Sequence, residues 1–164
     1  MRREYAEYRA SLAGMKRYTV SYIRIADEAD ARDALARIRS GADFGRVARE
    51  RSTHVESAGR DGRLGTFASC RWARDTVAML DGLDPGRVHP TPVRGTHGWG
   101  IYRLDAKAPL EPLSWEAWRT ALLAGTFEPE CPWVPPVTVS ARPASPQGET
   151  AAPRGGPRGG VQSR

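Results

Sequence analysis

Apolar positions along the chain follow two different periods. From Tyr18 to Ile25, Val20, Tyr22 and Arg24 alternate with Ser21, Ile23 and Ile25, which is the period of a strand. From Asp27 to Ser40 the spacing becomes helical. Ala31, Ala34, Leu35 and Ile38 make one stripe, acidic residues lead the segment, arginines close it and Gly41 stops it. A second helix follows at once, with Asp43 as N-cap and Phe44, Val47 and Ala48 on one face. Ser52 to Arg63 is polar and contains glycine, so it reads as a loop, and Leu64 to Phe67 reads as a short strand or turn. Arg71 to Leu80 returns to helical spacing through Trp72, Thr76 and Leu80. After the turn at Asp84-Pro85-Gly86, Val88 to Val93 and Gly98 to Leu104 read as strands joined by a glycine-rich hairpin. A charged helix over residues 1–16, with Tyr5, Tyr8 and Leu12 in register, flanks this body on one side. A helix from Leu113 to Ala124, capped by Ser114 and carrying Trp115, Trp118 and Leu122, flanks it on the other.

The order β-α-α-β-α-β-β mixes local helices with strands distant in sequence. It predicts an α+β sandwich whose sheet is covered by helices. Four segments follow: an N-terminal helical extension over 1–17, the body over 18–106, a C-terminal flanking helix over 107–127, and a Pro/Gly/Arg-rich tail over 128–164. The tail has too little apolar surface to offset ordering entropy and reads as disordered.

The chain has 164 residues and a net charge of +6. Part of that excess sits in the tail, through Arg142, Arg154, Arg158 and Arg164. The body is therefore only mildly basic, which argues against nucleic acid as its main partner. The tail motif from Pro153 to Gly160 is RGG-like, but it is short and poor in aromatics. No apolar run approaches the roughly 18 residues that span a bilayer, so no membrane partner is expected. The charged, aromatic start is no secretory signal as written. The expectation is a cytoplasmic chain, or one of the cell envelope or periplasm if the true N-terminus lies upstream. Cys70 and Cys131 lie far apart with no CxxC or histidine spacing, and they read as two free thiols. No metal and no organic cofactor is implied. Gly62 to Gly65 lacks the lysine and helix of a phosphate loop, and adjacent Ser52, Thr53 and His54 make a poor nucleophile–base pair.

Several short motifs occur in a telling order. Ser40 to Ala48 (SGADFGRVA) is similar to a "G-A-D-F-x-x-L-A" segment, and Asp61-Gly62-Arg63-Leu64-Gly65 to a "G-G-D-L-G" turn. Leu83 to Val88 (LDPGRV) is similar to "L-x-x-G-E-V". Pro92-Val93 followed by Gly98 to Leu104 (GWGIYRL) is similar to "P-V…G-W-H-I-I-K-L". Over residues 18–106 the chain thus resembles a parvulin-type peptidyl-prolyl cis/trans isomerase (rotamase) domain, an FKBP-like α+β fold. The resemblance implies isomerisation of X–Pro bonds in unfolded or extended polypeptides during protein folding. The alternative is an inactive peptide-binding or chaperone module.

The resemblance also assigns the site, and there the chain departs from the family. The two marker histidines align with Tyr22 and Gly100, and the loop position usually held by aspartate or cysteine aligns with His54. The residue before the last-strand Gly-Trp aligns with His97. The expected catalytic cluster is therefore Tyr22, His54 and His97. The expected substrate-binding residues are Leu64, Phe67, Trp72, Thr76 and Gly100. His89 reads as an exposed turn residue. Arg24 shares a strand face with Tyr22 and leaves two readings open: it attracts an acidic side chain preceding the proline, or it pairs with a carboxylate such as Asp61.

Overall fold

The computed structural model describes residues 1–131. Its centre is a four-stranded antiparallel sheet of order β2-β1-β4-β3. The strands are β1 (Lys16–Ile25), β2 (Arg63–Ala68), β3 (Val93–Gly95) and β4 (Gly98–Pro109). β1 pairs with β4 along its whole length, from Lys16↔Pro109 to Ile25↔Trp99. The register shifts between Thr19 and Val20 against β4, and between Val20 and Ser21 against β2.

Side-chain alternation along these strands feeds two cores. Ile23, Ile25 and Ile101 pack on one face against Ala31, Ala34 and Leu35 of α2 (Glu28–Arg39) and Phe44, Val47 and Ala48 of α3 (Phe44–Arg51). Both helices are capped as their sequences require. Asp27 accepts from the Ala29 and Asp30 N–H groups and Asp43 from the Arg46 N–H, each cap worth about 1 kcal/mol. On the opposite face Tyr18, Val20 and Leu104 pack against Leu80 of α5 (Arg74–Asp81) and Leu83. α5 is fastened there by Asp81, which accepts from the Tyr18 hydroxyl at 2.9 Å and pairs with Lys16 Nζ at 2.7 Å. These donors hold the Asp81 carboxyl below its usual range.

A third cluster joins the flanking segments. Tyr8 and Leu12, from α1 (Arg2–Ser11) and the residue that caps it, pack with Trp118 of α6 (Trp115–Leu123), Ala68, Leu110 and Cys131. Cys131 is bonded to Cys70, with Cα atoms 5.7 Å apart. The reading of two free thiols is thereby corrected: a separation of 61 residues carries no pairing signal, and only the fold brings the two backbones within bridging range. Glu128 to Cys131 are also placed, with Glu130 paired to Arg17 at 2.5 Å. The rest of the tail, residues 132–164, lies outside the described residues.

Two elements differ from their expected form. The polar stretch after Ser52 contains a one-turn helix, α4 (Val55–Ala58), capped by the His54 side chain. Of the strand expected from Val88 to Val93, only a bridge between Val88 and Arg103 and the start of β3 form. Pro90 and Pro92 have no N–H to give a ladder there.

The disulfide closes a long loop, and loop entropy makes it worth about 4 kcal/mol. A Cys70→Ala/Cys131→Ala variant is expected to lose about 2–4 kcal/mol in urea unfolding while keeping its far-UV spectrum. Non-reducing peptide mapping should recover the two cysteine peptides joined; free thiols at both positions would contradict the fold of the 128–131 segment.

Candidate functional site

α5 covers only part of its face of the sheet. Strand alternation carries that face on from Tyr18 and Val20 to Tyr22 and Arg24 of β1, and from Leu104 to Tyr102 and Gly100 of β4. Tyr22 lies opposite Tyr102 in the ladder, and Arg24 opposite Gly100. Tyr22, Arg24 and Tyr102 are all half-buried, so this end of the face forms a floor open to solvent.

The floor is aromatic. The Tyr22 and Tyr102 rings lie 4.8 Å apart, tilted by 43°. They fill the space above Gly100: a Cβ there would stand 2.5 Å from Tyr22 Cε2 and 2.8 Å from Tyr102 Cε2. Glycine at position 100 is what lets both rings close over the strand pair. The two hydroxyls lie close enough to shift each other's ionisation. Burial, then the neighbouring Tyr22 oxygen, pushes the Tyr102 hydroxyl up to about 12. Burial also raises Tyr22, against the opposing pull of the Arg24 charge and the Tyr102 hydroxyl. Both phenols are therefore neutral donors at physiological pH.

His54 closes the floor on its outer side, with its ring 5.7 Å from Tyr22 in an edge-on arrangement. The loop that carries it is tied to β1: Thr53 N–H donates to Arg24 O at 2.7 Å, and Tyr22 N–H to Gly62 O at 2.7 Å. Buried Ser57 fixes the imidazole. His54 Nδ1 accepts from the Ser57 N–H at 3.3 Å and lies 2.8 Å from Ser57 Oγ, which also reaches Tyr22 O at 3.2 Å. This network assigns the proton of the neutral ring to Nε2, the nitrogen left for other contacts.

The wall beside the floor is apolar. Phe67 pairs with Tyr18 in the ladder, and its ring stands edge-on to Trp72 at 5.5 Å between centroids. Close approach again needs a glycine, since a Cβ on Gly65 would lie 3.1 Å from the Phe67 ring. Trp72 packs against the Tyr18, Val20 and Leu80 cluster, and Leu64 and Thr76 are half-buried nearby in sequence on β2 and α5.

The expected cluster is therefore brought together in part. Tyr22 and His54 meet, whereas His97 is exposed in the β3–β4 turn, five residues along from Tyr102. It lies beyond the start of β4, outside the ladder that carries the floor. Tyr102 and Ser57, not singled out from the sequence, take part instead. Tyr102 shows its place only once the ladder sets it opposite Tyr22. Two cavities of about 600 and 460 Å³ lie elsewhere, beside α1 and between α2 and Pro90–Pro92, and neither touches Tyr22 or Tyr102. Among the described residues no group of three His, Cys, Asp or Glu side chains is placed to hold a metal ion.

An open aromatic floor with neutral hydroxyl donors beside an apolar wall suits an extended chain better than a compact cofactor. The model of the PPIC-type PPIase (rotamase) domain family matches residues 22–106, more than half of the chain, and the chain belongs to that family. A probable parvulin-type peptidyl-prolyl cis-trans isomerase of Bordetella pertussis is 29% identical over 109 residues, which are 66% of this chain and 42% of the relative. Foldase protein PrsA 3 of Bacillus anthracis is 29% identical over 93 residues, 57% of this chain and 32% of the relative. The chain thus spans less than half the length of these curated relatives.

Two solved structures share the fold. The peptidylprolyl isomerase PrsA of Bacillus anthracis aligns with a TM-score of 0.55 at 21% identity, covering 75% of this chain and 58% of that one. A Campylobacter jejuni structure, from work describing PEB4 and the periplasmic protein Cj1289 as SurA-like chaperones, aligns with a TM-score of 0.60 at 19% identity. It covers 76% of this chain and 52% of that one.

Two outcomes test the floor. Gly100→Ala is expected to cost about 1–3 kcal/mol by overpacking, and well under half of that in a Tyr22→Ala background. Equal costs in the two backgrounds, read from urea unfolding, would separate Gly100 from the Tyr22 ring. In a spectrophotometric phenol titration, Tyr102→Phe should remove a group ionising near pH 12. Loss of a group that ionises below pH 10 would mean that the floor is wet.

Proposed function

We propose that this domain accelerates cis/trans isomerisation of X–Pro bonds in unfolded or extended polypeptides. The observation that carries this reading is the Tyr22–Tyr102 hydroxyl pair set beside the Phe67–Trp72 wall. Rotation about the X–Pro bond is opposed by amide resonance, a barrier of roughly 18–20 kcal/mol. No covalent bond need break, so catalysis requires only that the twisted imide be bound better than either planar form. The proline ring packs on Phe67 and Trp72, which exclude water from one side. As the bond twists, the imide nitrogen regains its lone pair and becomes an acceptor. A neutral phenol on the floor then donates to it, an interaction unavailable to the planar amide. The raised Tyr102 hydroxyl keeps that proton over the whole physiological range. His54 Nε2–H, oriented through Ser57, supplies a further donor at the rim.

In this reading residues 18–106 are the peptide-handling unit, and 1–17 and 107–127 are flanking segments that brace it. The Cys70–Cys131 disulfide supports an oxidising compartment such as the cell envelope over the cytoplasm.

The test is cis-to-trans relaxation of proline peptides with purified protein. Acceleration is expected, falling about tenfold in Tyr22→Phe and in Tyr102→Phe, the equivalent of one transition-state hydrogen bond. Trp72→Ala should act mainly through a higher KM. A folded wild-type protein that accelerates no peptide would overturn the proposal.

A further inference from the structure

The Cys70–Cys131 bridge joins the apolar wall to the segment that returns after α6. Cys70 lies in the tight Ser69–Arg71 turn, which Trp72 closes by donating its N–H to Ser69 O at 3.2 Å. No polar contact secures the Trp72 side chain: its buried Nε1 has no hydrogen-bond partner among the described residues. α5, which follows directly, has Ala73 at its N-cap and so lacks a side chain to satisfy its first turn. The returning segment is held as lightly. It lines a cavity of about 220 Å³ through Phe127 to Glu130, with Leu12, Arg17 and Leu110, and Glu130 lines another of about 190 Å³ with Phe67 and Arg71. Among the described residues, the polar fastening of Glu128 to Cys131 runs through Glu130. Its carboxylate meets Arg17 at 2.5 Å, and its carbonyl accepts from Arg71 Nε at 3.1 Å. Both contacts are exposed, and a solvated ion pair contributes little. Cys131 is 3% exposed and Cys70 is half-buried, so a thiol from solution reaches the bridge at the Cys70 sulfur.

We propose that the bridge is a redox switch on peptide grip, closed by oxidation and opened by a protein or small-molecule dithiol. The proposal rests on the isomerase reading for the use of the Phe67–Trp72 wall. In the oxidised chain the Ser69–Arg71 turn is clamped to the cluster of Tyr8, Leu12 and Trp118, and Trp72 stays against Phe67. A thiolate of the dithiol attacks Cys70 Sγ, and the bridge breaks with Cys131 leaving as a thiolate that takes a proton from water. The second thiol of the reductant then attacks the reductant's own sulfur in the mixed disulfide. That step frees Cys70 and closes the reductant's disulfide, so the bridge gains the pair of electrons that the dithiol loses. Without the link, the 128–131 segment parts from the wall and the turn under Trp72 samples more conformations. Only a fraction of them presents the wall to a proline ring, and apparent affinity falls by that fraction. The floor donors, carried by the β1–β4 pair, are untouched. Grip is thus acquired where the chain is oxidised, which ties peptide handling to the compartment.

The experiment measures KM and kcat for a proline peptide, and its dissociation constant by fluorescence anisotropy, with the chain oxidised, reduced by dithiothreitol and reoxidised. Far-UV circular dichroism follows each state. Reduction should raise KM and the dissociation constant by about threefold to tenfold with kcat little changed, and reoxidation should reverse the change. The Cys70→Ala/Cys131→Ala variant should match reduced wild type and ignore the reductant, and Trp72→Ala should bind alike in both states. Equal constants for oxidised and reduced wild type, a cysteine-free variant that still responds to reductant, or a reduced chain that has unfolded would overturn the switch. If no peptide is isomerised, the isomerase reading fails on its own, while the anisotropy shift still decides the switch. Absence of peptide binding in every state would overturn both.

Discussion

The pairing of β1 with β4 is the constraint on which everything else in this domain depends. These two strands are central, so each must be apolar on both faces where helices cover it. Ile23, Ile25 and Ile101 satisfy one face, and Tyr18, Val20 and Leu104 satisfy the other. The helical cover is complete over the first set and stops short over the second. The floor lies where it stops, and residues there are amphipathic rather than aliphatic. Tyr22, Arg24 and Tyr102 are each only half-buried, so their apolar bodies can pack while their polar tips reach outward.

Within that frame Tyr22 and Gly100 are two halves of one choice. A side chain at position 100 and a ring from position 22 would compete for the same space over the strand pair. A chain that places tyrosine at 22 must therefore clear position 100. Tyrosine at 22 and glycine at 100 are thus one coupled feature of the floor, a pair of phenols with one imidazole at the rim. Twisting an imide does not require an acid or base that titrates near neutrality, only donors that strengthen as the nitrogen lone pair returns. Neutral phenol hydroxyls meet that requirement.

Much of the framework was legible from periodicity and caps. The alternation from Val20 to Ile25, the stripe through Ala31 and Leu35, and the caps at Asp27, Asp43 and Ser114 all correspond to observed elements. Pairings between distant residues were not legible, because no local rule encodes them. Tyr102 acquires its meaning only from the ladder that sets it opposite Tyr22. The partner of Asp61 depends on the turn after α4, where Asp61 itself takes φ of 58° and pairs with Arg49 rather than Arg24. His54 and His97 looked alike as loop histidines, yet a one-turn helix and Ser57 lock the first against the floor, while the second sits on an exposed hairpin tip. The link between Cys70 and Cys131 likewise follows from where the segment after α6 returns.

The same return explains how the flanking segments bear on the site. Trp72 follows closely on Cys70, and the short turn between them leads straight into α5. Fixing Cys70 to Cys131, and Glu130 to Arg17 and Arg71, therefore anchors the base of the apolar wall from behind. Tyr8, Leu12 and Trp118 bury the other side of that anchor. In the proposed reading, a proline ring pressing on Phe67 and Trp72 meets a surface backed by a covalent link and an aromatic cluster, while the opposite rim, the His54 loop, is held by hydrogen bonds and the Arg49–Asp61 ion pair, with no covalent link. The wall is thus the rigid side of the site and the rim the compliant one. That asymmetry suits a reaction in which the proline ring stays put and the chain preceding it swings.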